Sequence, residues 1–106
     1  MTTFDDRERE FENRFKHDEA LRFKVTARRN KMLGLWAAQR MGLAAEAAET
    51  YARSVVEAEF ERGGDRHVIE KVCADLAATG ESSTPEQIQR ELDRFAEQAK
   101  QQIMTE

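Results

Sequence analysis

The segment Thr84–Met104, TPEQIQRELDRFAEQAKQQIM, carries the clearest helix signal in the chain and indicates its class of fold. Pro85 is the only proline. Thr84 before it and Gln87 after it match a capping box with proline at the first helical position. Behind them, apolar residues recur at the spacing of one helix face: Ile88, Leu92, Phe95, Ala99 and Ile103. This spacing predicts an amphipathic helix from Pro85 to about Met104.

Three further helices are indicated upstream of this segment. Gly80, Gly63–Gly64 and Gly42 divide the preceding chain, and glycine commonly follows the last turn of a helix. We expect one helix from about Leu43 to Arg62, and after it a helix that Asp65 caps. The residues expected to face inward are Leu21, Val25, Met32, Leu35 and Trp36 in the first helix, Ala48, Tyr51, Ala52, Val55 and Phe60 in the second, and Val68, Ile69, Val72, Cys73 and Leu76 in the third. This pattern predicts an all-α fold with an antiparallel, four-helix bundle-like domain.

The composition argues against several classes of function. A chain of 106 residues suits one domain, and its net charge of −4 argues against nucleic-acid binding, which needs a basic surface. The sequence shows neither a transmembrane segment nor a signal peptide, so we expect a cytoplasmic protein. Cys73 is the single cysteine, and His17 and His67 are far apart, so neither an internal disulfide nor a metal site is expected. No arrangement of residues typical of an active site stands out, which predicts a protein that is not an enzyme.

The N-terminal segment departs from the pattern of the other helices. Residues 5–10 read DDRERE, yet on one straight helix Phe11 and Phe15 fall within about 20° of Phe4. Arg22 falls on the same line, so this phenylalanine edge does not continue into the apolar stripe of the next segment. We predict that residues 1–17 are disordered or frayed in the free chain and become helical against a partner, because a short isolated helix is marginal in water. The alternative is that Phe11 and Phe15 pack on the end of a domain formed by residues 18–106.

The opening MTTFDDREREFENRFKHDEALRFKVTARRNKMLGLWAAQRMG closely resembles that of the ζ-subunit family. These small α-proteobacterial proteins inhibit the F1 part of the F1FO-ATP synthase. The motifs FDDRER, HDEALRFK, ARRNK and LGLWAA carry the resemblance, which covers the whole chain. It implies a four-helix bundle with a mobile N-terminal segment that enters a catalytic α/β interface of F1 near the central stalk. There the segment folds into a helix and blocks ATP hydrolysis.

Carried over by position, the resemblance places the inhibitory segment between Met1 and about Lys16. The candidate partner-binding residues are Phe4, Arg7, Arg9, Phe11, Arg14 and Phe15. The expected partners are the α, β and central-stalk subunits of F1, so the protein would lie in the cytoplasm, peripheral to the inner membrane. We expect a monomer when the protein is free, without membrane insertion.

A second hypothesis concerns four cations that follow one another without an intervening acid: Lys24, Arg28, Arg29 and Lys31. They could contact the phosphates of ADP or ATP, which would make the chain a small helical nucleotide- or ligand-sensing domain. Such binding would be weak, because no glycine-rich phosphate loop is present. The alternative is a solvated helix face, which is what a run of charges usually forms. No firmly bound cofactor is expected.

Overall fold

A computed structural model of the chain describes residues 3–106, apart from the side chains of Thr3, Phe4 and Arg62. The described residues form five α-helices and no strand, which confirms the all-α class. The helices are α1, Thr3–His17; α2, Glu19–Arg40; α3, Ala45–Arg62; α4, Asp65–Ala78; and α5, Pro85–Met104. The predicted joints at the glycines all fall between helices. A further break at Asp18 separates α1 from α2.

Most of the core lies between α2, α3, α4 and α5, which we call the body. Helix α2 packs along both α3 and α5 and also touches α4, while α4 packs on α3 and α5. The main cluster consists of Leu33, Ala37, Val55, Ala58, Val68, Ile69, Val72, Leu76, Ile88, Leu92 and Phe95. Removing this apolar surface from water is the main stabilising contribution to the fold. A smaller cluster lies where α1 meets the first turns of α2 and the last turns of α5.

Helix α5 confirms the prediction made from its sequence. The backbone amide of Gln87 donates to the Thr84 hydroxyl at 3.1 Å, and the Thr84 amide donates to the Gln87 side chain at 2.9 Å. The capping box thus satisfies amides that the first turn leaves unpaired. The five predicted apolar residues of this helix are all buried.

Helices α2 and α3 approach each other most closely at Gly34. A Cβ atom at this position would lie 2.6 Å from the Cα of Ala52 and 3.2 Å from a methyl carbon of Val55. Two non-bonded carbon atoms clash at 2.6 Å, so only glycine allows the two backbones to pack this closely. This contact sets the distance between the two helices and therefore the position of every residue on their facing sides.

Two aromatic residues predicted to face inward lie nearer the surface than expected. Phe60, in the last turn of α3, is 48% exposed. Trp36 is half-buried, packs against the main cluster and has the Arg40 guanidinium carbon 5.1 Å from its ring centroid. Helical spacing assigns a residue to a face, but depth also depends on where the neighbouring helices end. In addition, α3 begins at Ala45, so Leu43 lies in the preceding loop and is 36% exposed.

Asp65 does not cap α4, contrary to the prediction. Gly64 occupies the N-cap position, and no side chain caps this end of the helix. The Asp65 carboxylate instead accepts a hydrogen bond from Arg29 on α2 at 2.9 Å. A charged partner from another helix has thus replaced the local backbone amide as its hydrogen-bond donor.

Candidate partner-binding helix

The break between α1 and α2 is built from two reciprocal caps. Asp18 has an extended backbone, φ −106° and ψ 103°, and its carboxylate accepts from the amide of Leu21 at 3.1 Å. In the other direction, Arg22 donates to the carbonyl oxygens of Phe15 and Lys16, at 3.1 and 2.8 Å. Aspartate is a favoured N-cap because its side chain accepts from the free amides of the first turn. The break therefore ends α1 and starts α2 within a single residue.

This break turns the phenylalanine edge of α1 toward the body. Phe11 is only 6% exposed and packs with Leu21, Val25, Ala99 and Ile103. The structure thus agrees with the alternative that Phe11 and Phe15 pack on the end of the domain, and not with the prediction that the phenylalanine edge stays apart from it. The premise of that prediction was one straight helix through Arg22, whereas the extended backbone at Asp18 changes the direction of the chain.

Phe15 is the outer member of the same edge. It is half-buried, and its ring centroid lies 6.4 Å from that of Phe11. The ammonium of Lys100 on α5 lies 4.3 Å from the Phe15 ring centroid and 3.8 Å from the Glu12 carboxylate. Helix α1 thus lies along the seam between α2 and α5, attached by one buried ring, one half-buried ring and a partly exposed ammonium.

The charged candidates on α1 lie at different places around the helix. Arg7 and Arg14 line a cleft beside Phe11, together with Leu21 of α2 and Ile103 of α5, whereas Arg9 falls about 160° around the helix from Phe11. Arg7, Arg9 and Arg14 are all exposed, and the side chain of Phe4 lies outside the described residues. Acidic residues in the first turn and basic residues in the last turn match the helix dipole, which favours this helix locally. Of the five candidates with a described side chain, Phe11 and Phe15 form the apolar edge, Arg7 and Arg14 flank it, and Arg9 lies on the opposite side. The structure does not test their role in binding, and the prediction that residues 1–17 fray in the free chain stays a prediction.

The four cations of the second hypothesis do not share one open face. Lys24 and Arg28 both pair with Glu106, Lys24 at 2.8 Å. Hydrogen bonds from Lys24 and then Arg28 hold the pKa of the Glu106 carboxyl below its usual value. Lys31 lies 3.7 Å from Glu49. The sequence shows no acid between these cations, but the fold brings a carboxylate from elsewhere in the chain to each of them.

Arg29, the fourth cation, belongs to a polar network that the sequence analysis did not identify. Its guanidinium donates to Glu59 at 2.8 Å and to Asp65 at 2.9 Å, and to the side-chain oxygen of Asn30 at 3.0 Å. Asn30 is fully buried and donates to the same Glu59 oxygen at 3.0 Å. The network joins α2, α3 and α4, and a buried charge with such partners is costly to disrupt. The feature of the sequence that could have revealed this network is Asn30, a polar residue on the inward face of α2.

Neither the single cysteine nor a metal-ligating cluster adds a candidate site among the described residues. Cys73 is half-buried, where an inert buried thiol was expected, and burial and then the charge of Glu86 raise the pKa of its thiol. The described residues contain no cluster of three metal-ligating side chains. In the same part of the chain, no helix is both long and apolar enough to cross a membrane.

The fold and this edge define a small all-α protein whose candidate functional element is the N-terminal helix that ends at the break at Asp18. One similar protein has a structure solved by solution NMR, which superposes on this chain with a TM-score of 0.70 and is 35% identical in sequence. The match covers 80% of this chain and 96% of the chain solved by NMR. This chain belongs to the ATPase inhibitor subunit zeta family, whose sequence model matches residues 1–102. This confirms the resemblance found in the sequence and supports a role as an inhibitor of the ATP synthase. No curated protein matches the chain at a significant level.

Proposed function

We propose that this protein inhibits ATP hydrolysis by the F1 part of a bacterial F1FO-ATP synthase. In this proposal α1 enters a catalytic α/β interface next to the central stalk and blocks rotation, while the body remains outside. The protein then acts as a cytoplasmic, non-catalytic partner of F1 that needs no cofactor and reaches the inner membrane only through F1. Family membership supports the inhibitory role, and the construction of α1 supports its place in the mechanism.

The observation that carries the proposal is the boundary between α1 and α2. The backbone of α1 is set off from α2 by the extended residue Asp18. Its apolar side is a single edge, and the exposed surface around that edge is mostly charged, with Arg7 and Arg14 on one flank and Glu12 on the other. A helix of this kind presents its apolar edge to a groove and its charges to a polar rim, which is the usual mode of helix-in-groove recognition.

The same edge cannot contact the body and F1 at once. Because Phe11 is buried against α2 and α5, α1 has to leave its seam before this ring becomes available. The apparent affinity for F1 is then lowered by the fraction of chains in which α1 is docked. Residues 1–17 act, in this proposal, as a segment that exchanges between its own body and the partner.

Deleting residues 1–17 tests the proposal directly. The truncated and full-length chains are compared as inhibitors of ATP hydrolysis by F1 purified from the same source. We expect inhibition only from the full chain, while the circular dichroism of the truncated chain remains helical because the main cluster contains no residue of α1. A folded truncated chain that inhibits as well as the parent would show that the body, not α1, makes the inhibitory contact.

The nucleotide-sensing alternative has no specific structural observation in its favour. Each of its four cations already has a carboxylate partner within the chain. Nucleotide binding therefore stays a prediction. A titration with ADP or ATP, monitored by the NMR amide signals of residues 24–31, would test it. Saturable shifts confined to those residues would support it.

A further inference from the structure

An exposed aromatic pair lies on the body, outside the edge of α1. Phe23 on α2 is 57% exposed and Phe60 on α3 is 48% exposed. Their ring centroids are 4.6 Å apart and the ring planes differ by 26°, so the two side chains stack on each other. Only one other large apolar side chain in the described part of the chain, Leu43, reaches a comparable exposure. Stacking leaves much of both rings in water, which disfavours a purely internal role.

The aromatic pair lies at the end of the body from which α1 departs. Phe23 follows Asp18 by five residues, which is about 7.5 Å along a helix axis. Phe23 also falls about 200° around α2 from Leu21, and Leu21 packs in the cluster that contains Phe11. The pair therefore faces away from the seam that α1 occupies. It is open to a partner whether α1 is docked or released.

The rim of the pair is acidic. Glu19 precedes Phe23 by one helical turn, Glu57 precedes Phe60 by nearly one turn, and Glu61 follows Phe60 directly. All three carboxylates are exposed, and none forms an ion pair with another described residue. Lys24, which follows Phe23 directly, is already paired with Glu106 at 2.8 Å, and Arg22, which precedes Phe23, donates to carbonyl oxygens at the end of α1. A complementary surface is therefore apolar at its centre and bordered by lysine or arginine.

A second copy of this chain is a poor occupant. At the observed exposures the two rings offer roughly 200 Å² of surface, whereas a stable dimer buries about 800 Å² on each partner. A second copy would also bring the same acidic rim against itself. An area this small contributes most when another element already holds the partner in place, because the second contact then forms within one complex.

We infer that Phe23 and Phe60 form a second contact with the partner that takes α1. This inference rests on the proposed function and deepens it. The partner is F1, and the contact is an apolar surface of F1 bordered by basic residues, next to the entrance of the site for α1. Release of α1 leaves the pair close to the junction, so one partner surface can bind both. The pair slows dissociation, and α1 supplies the inhibition.

The test uses the full chain and immobilised F1, with binding kinetics and ATP hydrolysis as readouts. The double variant Phe23→Ser/Phe60→Ser should dissociate about tenfold faster or more, as expected for loss of aromatic anchors. Leu43→Ser is the matched control: it removes the third exposed large apolar side chain among the described residues, in the α2–α3 loop at the other end of α2, and should bind like the parent. Leu43→Ser should melt like the parent, while the double variant, which loses the stacked contact, should melt somewhat lower yet remain fully folded at the assay temperature.

A second variant tests the rim without touching the rings. Glu57→Lys/Glu61→Lys should slow association with F1 at low salt, and the difference from the parent should shrink as salt is raised. Normal binding by both double variants, together with weakened inhibition by Phe15→Ala, would overturn the inference and leave the proposed function standing. A parent chain that neither binds nor inhibits F1 would overturn both. Dimerisation of the parent that the Phe23→Ser/Phe60→Ser variant abolishes would also overturn the inference.

Discussion

Replacing Phe11 with alanine tests whether α1 is a separable part of this fold. Phe11 is 6% exposed in the smaller cluster, and emptying such a site costs about 3–5 kcal/mol. The remaining attachments of α1 are weak, because Phe15 is half-buried and an ion pair as exposed as Glu12–Lys100 contributes at most about 1 kcal/mol. An isolated helix as short as α1 is marginal in water. Phe11→Ala should therefore release α1 rather than unfold the body.

Amide hydrogen exchange measures this outcome residue by residue. Protection of the α1 amides should fall by up to about 100-fold, the equivalent of about 3 kcal/mol. Amides around Leu33 and Leu92 in the main cluster should keep their protection. Asn13→Ala, on the exposed side of the same helix, is the control and should change little. Equal loss of protection in α1 and in the main cluster would refute the reasoning, since α1 would then belong to a single cooperative core.

Two further predictions concern the body. Gly34→Ala should lower the melting temperature, because overpacking against Ala52 costs about 1–3 kcal/mol and the gain in helix propensity is only about 1 kcal/mol; a variant that melts above the parent would contradict this. The hydroxyl of Tyr51 donates to Asp75 at 2.8 Å, and burial, followed by this carboxylate, raises the phenol pKa far above its usual value. The neutral phenol therefore stabilises the fold below about pH 10, and this contribution is lost as the pH rises further. Tyr51 is the only tyrosine, so in an alkaline titration phenolate absorbance should appear only as helicity is lost. A phenolate near pH 10 in a fully helical chain would disprove this prediction.

Local signals in the sequence were reliable where local contacts decide the structure. Helix α5 follows its predicted bounds and buries its predicted face, because capping box, proline and apolar spacing all act within the helix itself. The joints at the glycines were placed correctly for the same reason. The burial of individual side chains was less predictable. The helical spacing of Phe60 predicts an inward position, but the residue lies at the end of α3, where nothing from α2 covers it fully. For the candidate site, the sequence marked the phenylalanine edge but neither the extended backbone at Asp18 nor the contact that buries Phe11.

The sequence by itself determined the all-α class, the helices that the glycines divide and the family, since each depends on residues that are close along the chain. The tertiary structure alone decided which polar and aromatic side chains meet. Arg29 shows the reason, because its partners Glu59 and Asp65 come from α3 and α4, and no pattern within α2 reveals them. Phe11 shows it again: one extended residue at Asp18 redirects α1, and the edge that a straight helix would point outward becomes buried against α2 and α5.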